Sequence, residues 1–246
     1  MKTAVWAMLS MLAMSGCGAA RPPSVTEPVQ GAAMPDATVI ELAKLRADPA
    51  SFAWFQFKPG VKKLILSGTP ESRHVSVLWY TADDGKPGAV PLHYHAKTES
   101  IFVIDGAQAD PKGKYERGSF YFNPPGSGHD VFDSAGLFLL SYAAPPDFKK
   151  TDAIGPYEPL LVGADYSKVS LAELPLSSDG GMSARFVKPT TASAVAANVL
   201  LVLEGACTIA GQPLAKDTLV VTKSTDPATY AIAPGADCLL FTLSFL

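Results

Sequence analysis

The stretch Gly88-Ala-Val-Pro-Leu-His93-Tyr-His95-Ala-Lys-Thr-Glu99, read with Gly118-Ser-Phe-Tyr-Phe-Asn-Pro124-Pro125-Gly126-Ser-Gly-His129-Asp-Val-Phe-Asp133, decides the fold. The chain has four histidines, and three of them fall between positions 93 and 129. Residues two apart on a strand face the same side, ~6.6 Å apart. His93 and His95 can therefore point together into one interior, and Glu99 keeps the same parity across a turn at Ala96–Thr98. Pro124-Pro125-Gly126-Ser127-Gly128 is a sharp turn that starts a new strand carrying His129.

Outward from this stretch the chain is a series of short strand-like runs broken by Gly, Pro, Asp and Ser: KKLILSG (62–68), VSVLWYT (75–81), SIFVIDG (100–106), GSFYFNPPG (118–126) and GLFLLSYA (136–143). Their Val, Ile, Phe and Tyr content and their spacing predict an all-β sandwich or barrel. Thr38 to Arg46 reads as the one helix, with Ile40, Leu42 and Leu45 on a rough stripe.

The pattern occurs twice. Ile101-Phe-Val-Ile-Asp-Gly106 matches Leu200-Leu-Val-Leu-Glu-Gly205 at a shift of 99 residues, and at the same shift Gly118 meets Asp217 and Gly136 meets Gly235. Two barrels follow, over 50–145 and 165–246, joined by a Pro-rich linker at 146–164. Carried by that shift, His93, His95, Glu99 and His129 fall on Ala192, Ala194, Asn198 and Ala228. The second barrel is therefore expected to hold no metal.

Three imidazoles and one carboxylate suit a single divalent Zn, Mn, Fe, Ni or Cu ion. They leave coordination positions open, as metal catalysis requires. No cysteine lies near enough for a thiolate zinc. His74, beside Arg73 in a polar turn, reads as exposed. Trp79, Tyr94, Tyr121 and Tyr142 are candidates for lining a pocket, although core packing or surface is the better assignment for each.

These residues resemble the two cupin motifs. His93-Tyr-His95-Ala-Lys-Thr-Glu99 followed by Gly106 looks like the first, with its leading glycine offset by one at Gly88. Gly118, Pro124-Pro125-Gly126, His129 and Asp133 look like the second, with Asp133 where the family has Asn. The surrounding text, from Trp54 and Pro59-Gly-Val-Lys to Pro145-Pro-Asp-Phe148, is most similar to ChrR-type cupins. The resemblance implies two tandem jelly-roll barrels, with a metal held by His93, His95, Glu99 and His129 in the mouth of the first. It does not imply the anti-sigma role, because the Cys/His zinc segment that grips a sigma factor is absent. Two functions remain open: a metal-dependent oxygenase acting on a small organic molecule, and a non-enzymatic binding or sensing module.

The N-terminus reads as an export signal. Lys2 is followed by apolar Ala4 to Met14 and then Ser15-Gly16-Cys17. This run is too short to span a bilayer and suits a signal peptide over 1–16. It resembles a lipoprotein signal, which implies lipidation of Cys17. Residues 17–49 then form the lipidated N-terminus, a Pro- and Ala-rich tether and the short helix. The expected place is the cell envelope, at the periplasmic side of the outer membrane, with the lipid as the one membrane contact. Outside the cytoplasm Cys207 and Cys238 can pair as a disulfide or remain two buried thiols. Hydrophobic residues make 48% of the chain and charged residues 17%, a globular balance rather than a disordered one. With a net charge of -3 and no basic stripe, nucleic acid is not an expected partner. A homodimer is compatible with the sequence.

Overall fold

The computed structural model describes residues 33–81, 86–149 and 181–246. The signal segment, Cys17 and most of the linker lie outside these residues. In chain order the first strands are β1 (Ala37–Glu41), β2 (Phe55–Lys58), β3 (Val61–Gly68), β4 (His74–Tyr80), β5 (Gly88–Tyr94), β6 (Glu99–Asp110), β7 (Gly113–Glu116), β8 (Phe120–Asn123) and β9 (Gly128–Tyr142). Then come β10 (Met182–Val187), β11 (Ser193–Ala197), β12 (Val199–Glu204), β13 (Ala206–Ile209), β14 (Gln212–Ala215), β15 (Thr218–Thr222), β16 (Ala228–Pro234) and β17 (Leu239–Phe245). The protein is all-β, as its runs of β-branched and aromatic residues predict.

One sheet runs β2-β3-β4-β9-β6-β7, with β5 paired to β9 and β8 paired to β6. The remaining strands of the described residues build a sheet of order β1-β15-β12-β17-β10 and a second of order β11-β16-β13-β14. Alternate residues of the central strands serve two different cores. On β6, Ile101 and Val103 face the first interior with Leu78, Tyr80, Tyr121, Phe138 and Leu140. Their neighbours Phe102 and Ile104 face a layer shared by both halves, together with Val75, Val77, Leu201, Leu219 and Phe241. On β12, Leu200 and Val202 face a third core with Val195, Val220, Tyr230 and Leu240. A strand buried on both faces reads as a continuous apolar run, and VLLVLE does so.

The repeat reappears as a backbone crossing. Gly106 pairs with Gly136 where β6 passes β9. A Cβ on Gly106 would sit 2.0 Å from the Ala135 carbonyl oxygen, and one on Gly136 2.0 Å from that of Asp105. In the second half a Cβ on Gly205 would meet Ala236 O at 2.1 Å, and one on Gly235 would meet Ala206 O at 2.0 Å. Only glycine lets the two backbones approach this closely. The shift of 99 does not persist everywhere. His93 stands opposite His129 across β5 and β9, whereas across β11 and β16 the opposed pairs are Val195–Tyr230 and Ala197–Ala228. Ala192 and Ala194 are therefore not the register counterparts of the histidines.

Two expectations are corrected. Thr38 to Arg46 is not one helix: residues 37–41 form β1, and only Lys44–Ala47 is helical, in α1. The strand wins because β15 offers a complete antiparallel partner, with Ala37 opposite Thr222 and Glu41 opposite Thr218. This pairing also places β1 in the sheet of the second half. His74 is not exposed: it opens β4 and is fully buried. Cys207 and Cys238 form a disulfide inside the third core, with Cα atoms 5.1 Å apart.

Candidate metal centre

Three elements bring the four donors together. His93 lies near the end of β5 and His129 near the start of β9, directly opposite each other. His95 follows β5, and its backbone continues the pairing: its N–H donates to Ser127 O at 2.8 Å, and Gly126 N–H donates to its carbonyl at 2.9 Å. Glu99 opens β6. The donor atoms of His93, His95, Glu99 and His129 all lie within 4.8 Å of one another, and all four residues are buried. Glu99 Oε2 is 3.3 Å from His95 Nε2 and 3.5 Å from His129 Nε2. Ligand atoms about 2.1 Å from one ion stand at roughly such mutual distances.

A hydrogen bond fixes the nitrogen that His93 presents, and a nearby carboxylate stands behind His129. His93 Nδ1 donates to Pro91 O at 2.9 Å, which leaves its Nε2 lone pair for the centre. His129 Nδ1 lies 3.6 Å from Asp110 Oδ2. The other Asp110 oxygen accepts from Lys112 N–H at 2.8 Å, Gly113 N–H at 3.2 Å and Tyr115 OH at 3.4 Å. A carboxylate behind a histidine orients a ligating imidazole and raises its basicity. Asn123, opposite Glu99 on β8, donates to Glu99 Oε2 at 2.7 Å. Neither ring nitrogen of His95 has a hydrogen-bond partner, although the residue is 1% exposed. A buried imidazole left without partners is costly, and an ion at the focus of the four donors removes that cost. The residues present fit a divalent ion.

The electrostatics are those of a waiting ligand set. Burial lowers His93 to about 4, helped by His129, and lowers His95 to about 3. Burial pushes Glu99 up, but His95, His129 and His93 together hold it well below the usual carboxylate range. Burial pushes His129 down, yet Asp110 and Glu99 outweigh it and raise it to about 9. Near neutral pH, before an ion binds, three donors are ready and His129 holds one proton to release.

Tyr80, Val90, Gln108, Val131, Leu140 and Tyr142 wall the pocket, and Phe57, Pro146 and Phe148 close its mouth. The open space beside the imidazoles is about 10 Å³, roughly one water molecule. Phe148 is held over His93, ring centres 5.3 Å apart, by a short bridge in which Tyr94 and Asp147 exchange two backbone hydrogen bonds of 2.8 Å. A wider groove of about 600 Å³ runs along the outside of the β5–β9 wall past Pro87, Leu92 and Phe132, and it contains none of the donors.

Of the four aromatic candidates, Tyr142 lines the pocket. Tyr121 is core, its hydroxyl donating to Gln108 Oε1 at 2.6 Å. Trp79 packs outside against Trp54, and Tyr94 supplies the backbone bridge. Asp110, Asn123, Gln108 and Tyr80 were missed by sequence reasoning. Register shifts between Val103 and Asp105 and between Ala107 and Ala109 break the parity of β6. Counting by twos from Glu99 therefore never reaches Gln108 or Asp110.

Residues 43–145 match the ChrR cupin-like domain family. That part of the chain is similar to a ChrR-like cupin domain. Among solved structures, a candidate dioxygenase from Nostoc punctiforme is 14% identical, with a TM-score of 0.55 over 85% of this chain and 82% of its own. YhhW from Escherichia coli is 10% identical, with a TM-score of 0.46 over 85% of this chain and 97% of its own. The anti-sigma protein ChrR of Rhodobacter sphaeroides, in complex with SigE, is 23% identical over 37% of this chain and 48% of its own, with a TM-score of 0.31. Among curated proteins no relative is found.

Proposed function

We propose that this chain is an exported bicupin metalloprotein that binds one divalent transition ion through His93, His95, Glu99 and His129, while its second barrel is a degenerate cupin without a metal. One observation carries the reading: four buried donors converge, and one of them, His95, has both ring nitrogens unpartnered. The bound ion would supply Lewis acidity at its open coordination positions. Asp110 and Pro91 orient the rings, Asn123 holds Glu99, and Phe148 excludes bulk water. Of Zn, Mn, Fe, Ni and Cu, an aerobic envelope location favours Zn, Mn or Cu, because ferrous iron oxidises there.

In its closed form the pocket admits about one water, which favours a non-enzymatic binding or sensing role for the resting protein. An oxygenase acting on a small organic molecule is the second reading. It is favoured by the polar groups of Tyr80, Gln108 and Tyr142 around the donors, and it requires Phe148 to move aside. Elemental analysis of protein taken from its native compartment is expected to find about one ion per chain, and none or two would overturn the assignment. Oxygen uptake against a panel of envelope metabolites separates the two readings. The lipid anchor at Cys17 and the place at the periplasmic side of the outer membrane are tested by labelled palmitate and fractionation. An unlabelled, cytosolic chain would refute both.

A further inference from the structure

Phe57 has a lysine on each side. Lys63, from β3, is 2% exposed. Its Nζ lies 4.8 Å from the Phe57 ring centre and 4.7 Å from that of Tyr142, and donates to His74 Nε2 at 2.8 Å. Lys58 is half-buried, with Nζ 3.8 Å from the Phe148 ring centre and 5.4 Å from that of Phe57. All three rings line the metal pocket. Neither ammonium forms an ion pair among the described residues.

The partner of Lys63 is neutral. His74 Nδ1 donates to Ser72 O at 2.7 Å, so its Nε2 offers a lone pair. Burial lowers Lys63 only to about 8, which leaves it protonated at neutral pH. The row His74–Tyr142–Glu99–Asn123 runs across adjacent strands and sets this cation one residue away from the metal ligand. Glu99 acts on Lys63 from a distance, but no carboxylate touches it. A buried ammonium without an ion-pair partner is costly, and aromatic faces compensate only part of that cost. Glu99 is the one carboxylate among the four donors, and Asp110 is engaged behind His129. With a divalent ion bound, the pocket and its mouth carry a surplus of positive charge.

We propose that the ligand of this pocket is a small organic anion, a carboxylate above all, that meets the ion through an oxygen while Lys63 and Lys58 provide the counter-charge. The proposal rests on the metal reading above. It also gives entry a cause: an anion that draws Lys58 off the Phe148 ring removes one of the contacts holding the mouth shut. A neutral molecule of the same size gains neither the charge pairing nor the opening.

The test uses the full chain loaded with Co(II), whose visible absorption reports ligands arriving at the metal. Formate and formamide are nearly equal in size and differ in charge. Formate is expected to shift the cobalt bands at a concentration at least about tenfold below formamide. Lys63→Met should remove most of that preference, Lys58→Met part of it, and Lys63→Arg should retain it, all with cobalt uptake unchanged. Equal affinity for formate and formamide overturns the proposal, as does a preference that survives both Met substitutions. Should Lys63→Met fail to fold, Lys58→Met, at the mouth, decides alone. A chain that takes up no cobalt sinks the metal reading and this proposal with it. A cobalt spectrum indifferent to formate sinks the anion alone.

Discussion

The interiors of the two halves satisfy their polar groups by different means. In the first, Glu99 stands opposite Asn123, and around them His95 lacks partners. In the second, at the same shift, Asn198 takes the place of Glu99 and Thr222 that of Asn123. Asn198 Oδ1 accepts the Phe245 N–H at 2.8 Å, and its Nδ2 donates to Thr222 Oγ1 at 3.3 Å. Where His93 faces His129, the second half has Val195 facing Tyr230 and Ala197 facing Ala228. In the second interior the residue at the shifted glutamate position is bonded within the protein; in the first, a buried imidazole is left without a hydrogen bond, a gap that an ion could fill. A shared strand plan thus supports either outcome, and the choice rests on a handful of buried side chains.

The strongest way to break this comparison is to remove a ligand. His95→Ala should weaken metal binding by well over about 100-fold, since losing even a supporting residue costs 10- to 100-fold. Asn198→Ala should leave metal uptake unchanged. Equilibrium dialysis measures both, and circular dichroism should show β structure retained in each metal-free protein, because the apolar cores do not depend on the ion. Next comes Asp110→Asn, which keeps the shape but removes the charge behind His129. Metal affinity should fall by about 10- to 100-fold, and an unchanged affinity would deny Asp110 its role.

A pH series sharpens the same contrast. His129 lies near 9 in the metal-free protein, while His93, His95 and Glu99 are already deprotonated above about pH 5. Binding must therefore displace one proton below pH 9. Affinity should fall by about tenfold for each unit below that, and level off above it. Calorimetry in buffers of different ionisation enthalpy should count about one proton released per ion at pH 7; none released would mean that His129 is not a ligand.

The smallest effects compare two buried tyrosines. Tyr121→Phe removes the donor to Gln108 and should cost about 1–3 kcal/mol in urea unfolding. Tyr230→Phe in the second interior removes a hydroxyl that has no partner, and stability should change by no more than about 0.5 kcal/mol.

Much of this was legible in the sequence because it is local. His93, His95, Glu99 and His129 declare themselves by spacing, and Gly106 and Gly205 mark the repeat at the two backbone crossings. What was not legible depends on partners distant in the chain. His74 sits in a polar-looking run, yet its place opposite Tyr142 on β9 buries it. Nothing beside Lys63 in KKLILSG singles it out or tells that β3 turns it inward beside Phe57. Ile40, Leu42 and Leu45 fit a helical stripe, and β15 overrides that local preference by offering hydrogen bonds that a helix would forgo. Irregular pairing on β6 hides Asp110 from any count by twos.

The pairing of β1 with β15 has a consequence for how the chain is made and held. The first strand of the described residues cannot find its partner until Thr218–Thr222 has left the ribosome, so the half with the four donors emerges before the strand preceding it has anywhere to go. Cutting the gene between the halves would strand that edge with its hydrogen bonds unmet, inviting other chains to pair with it. Once β1 and β15 are paired, a pull on the chain ahead of β1 would load the second half before reaching the four donors.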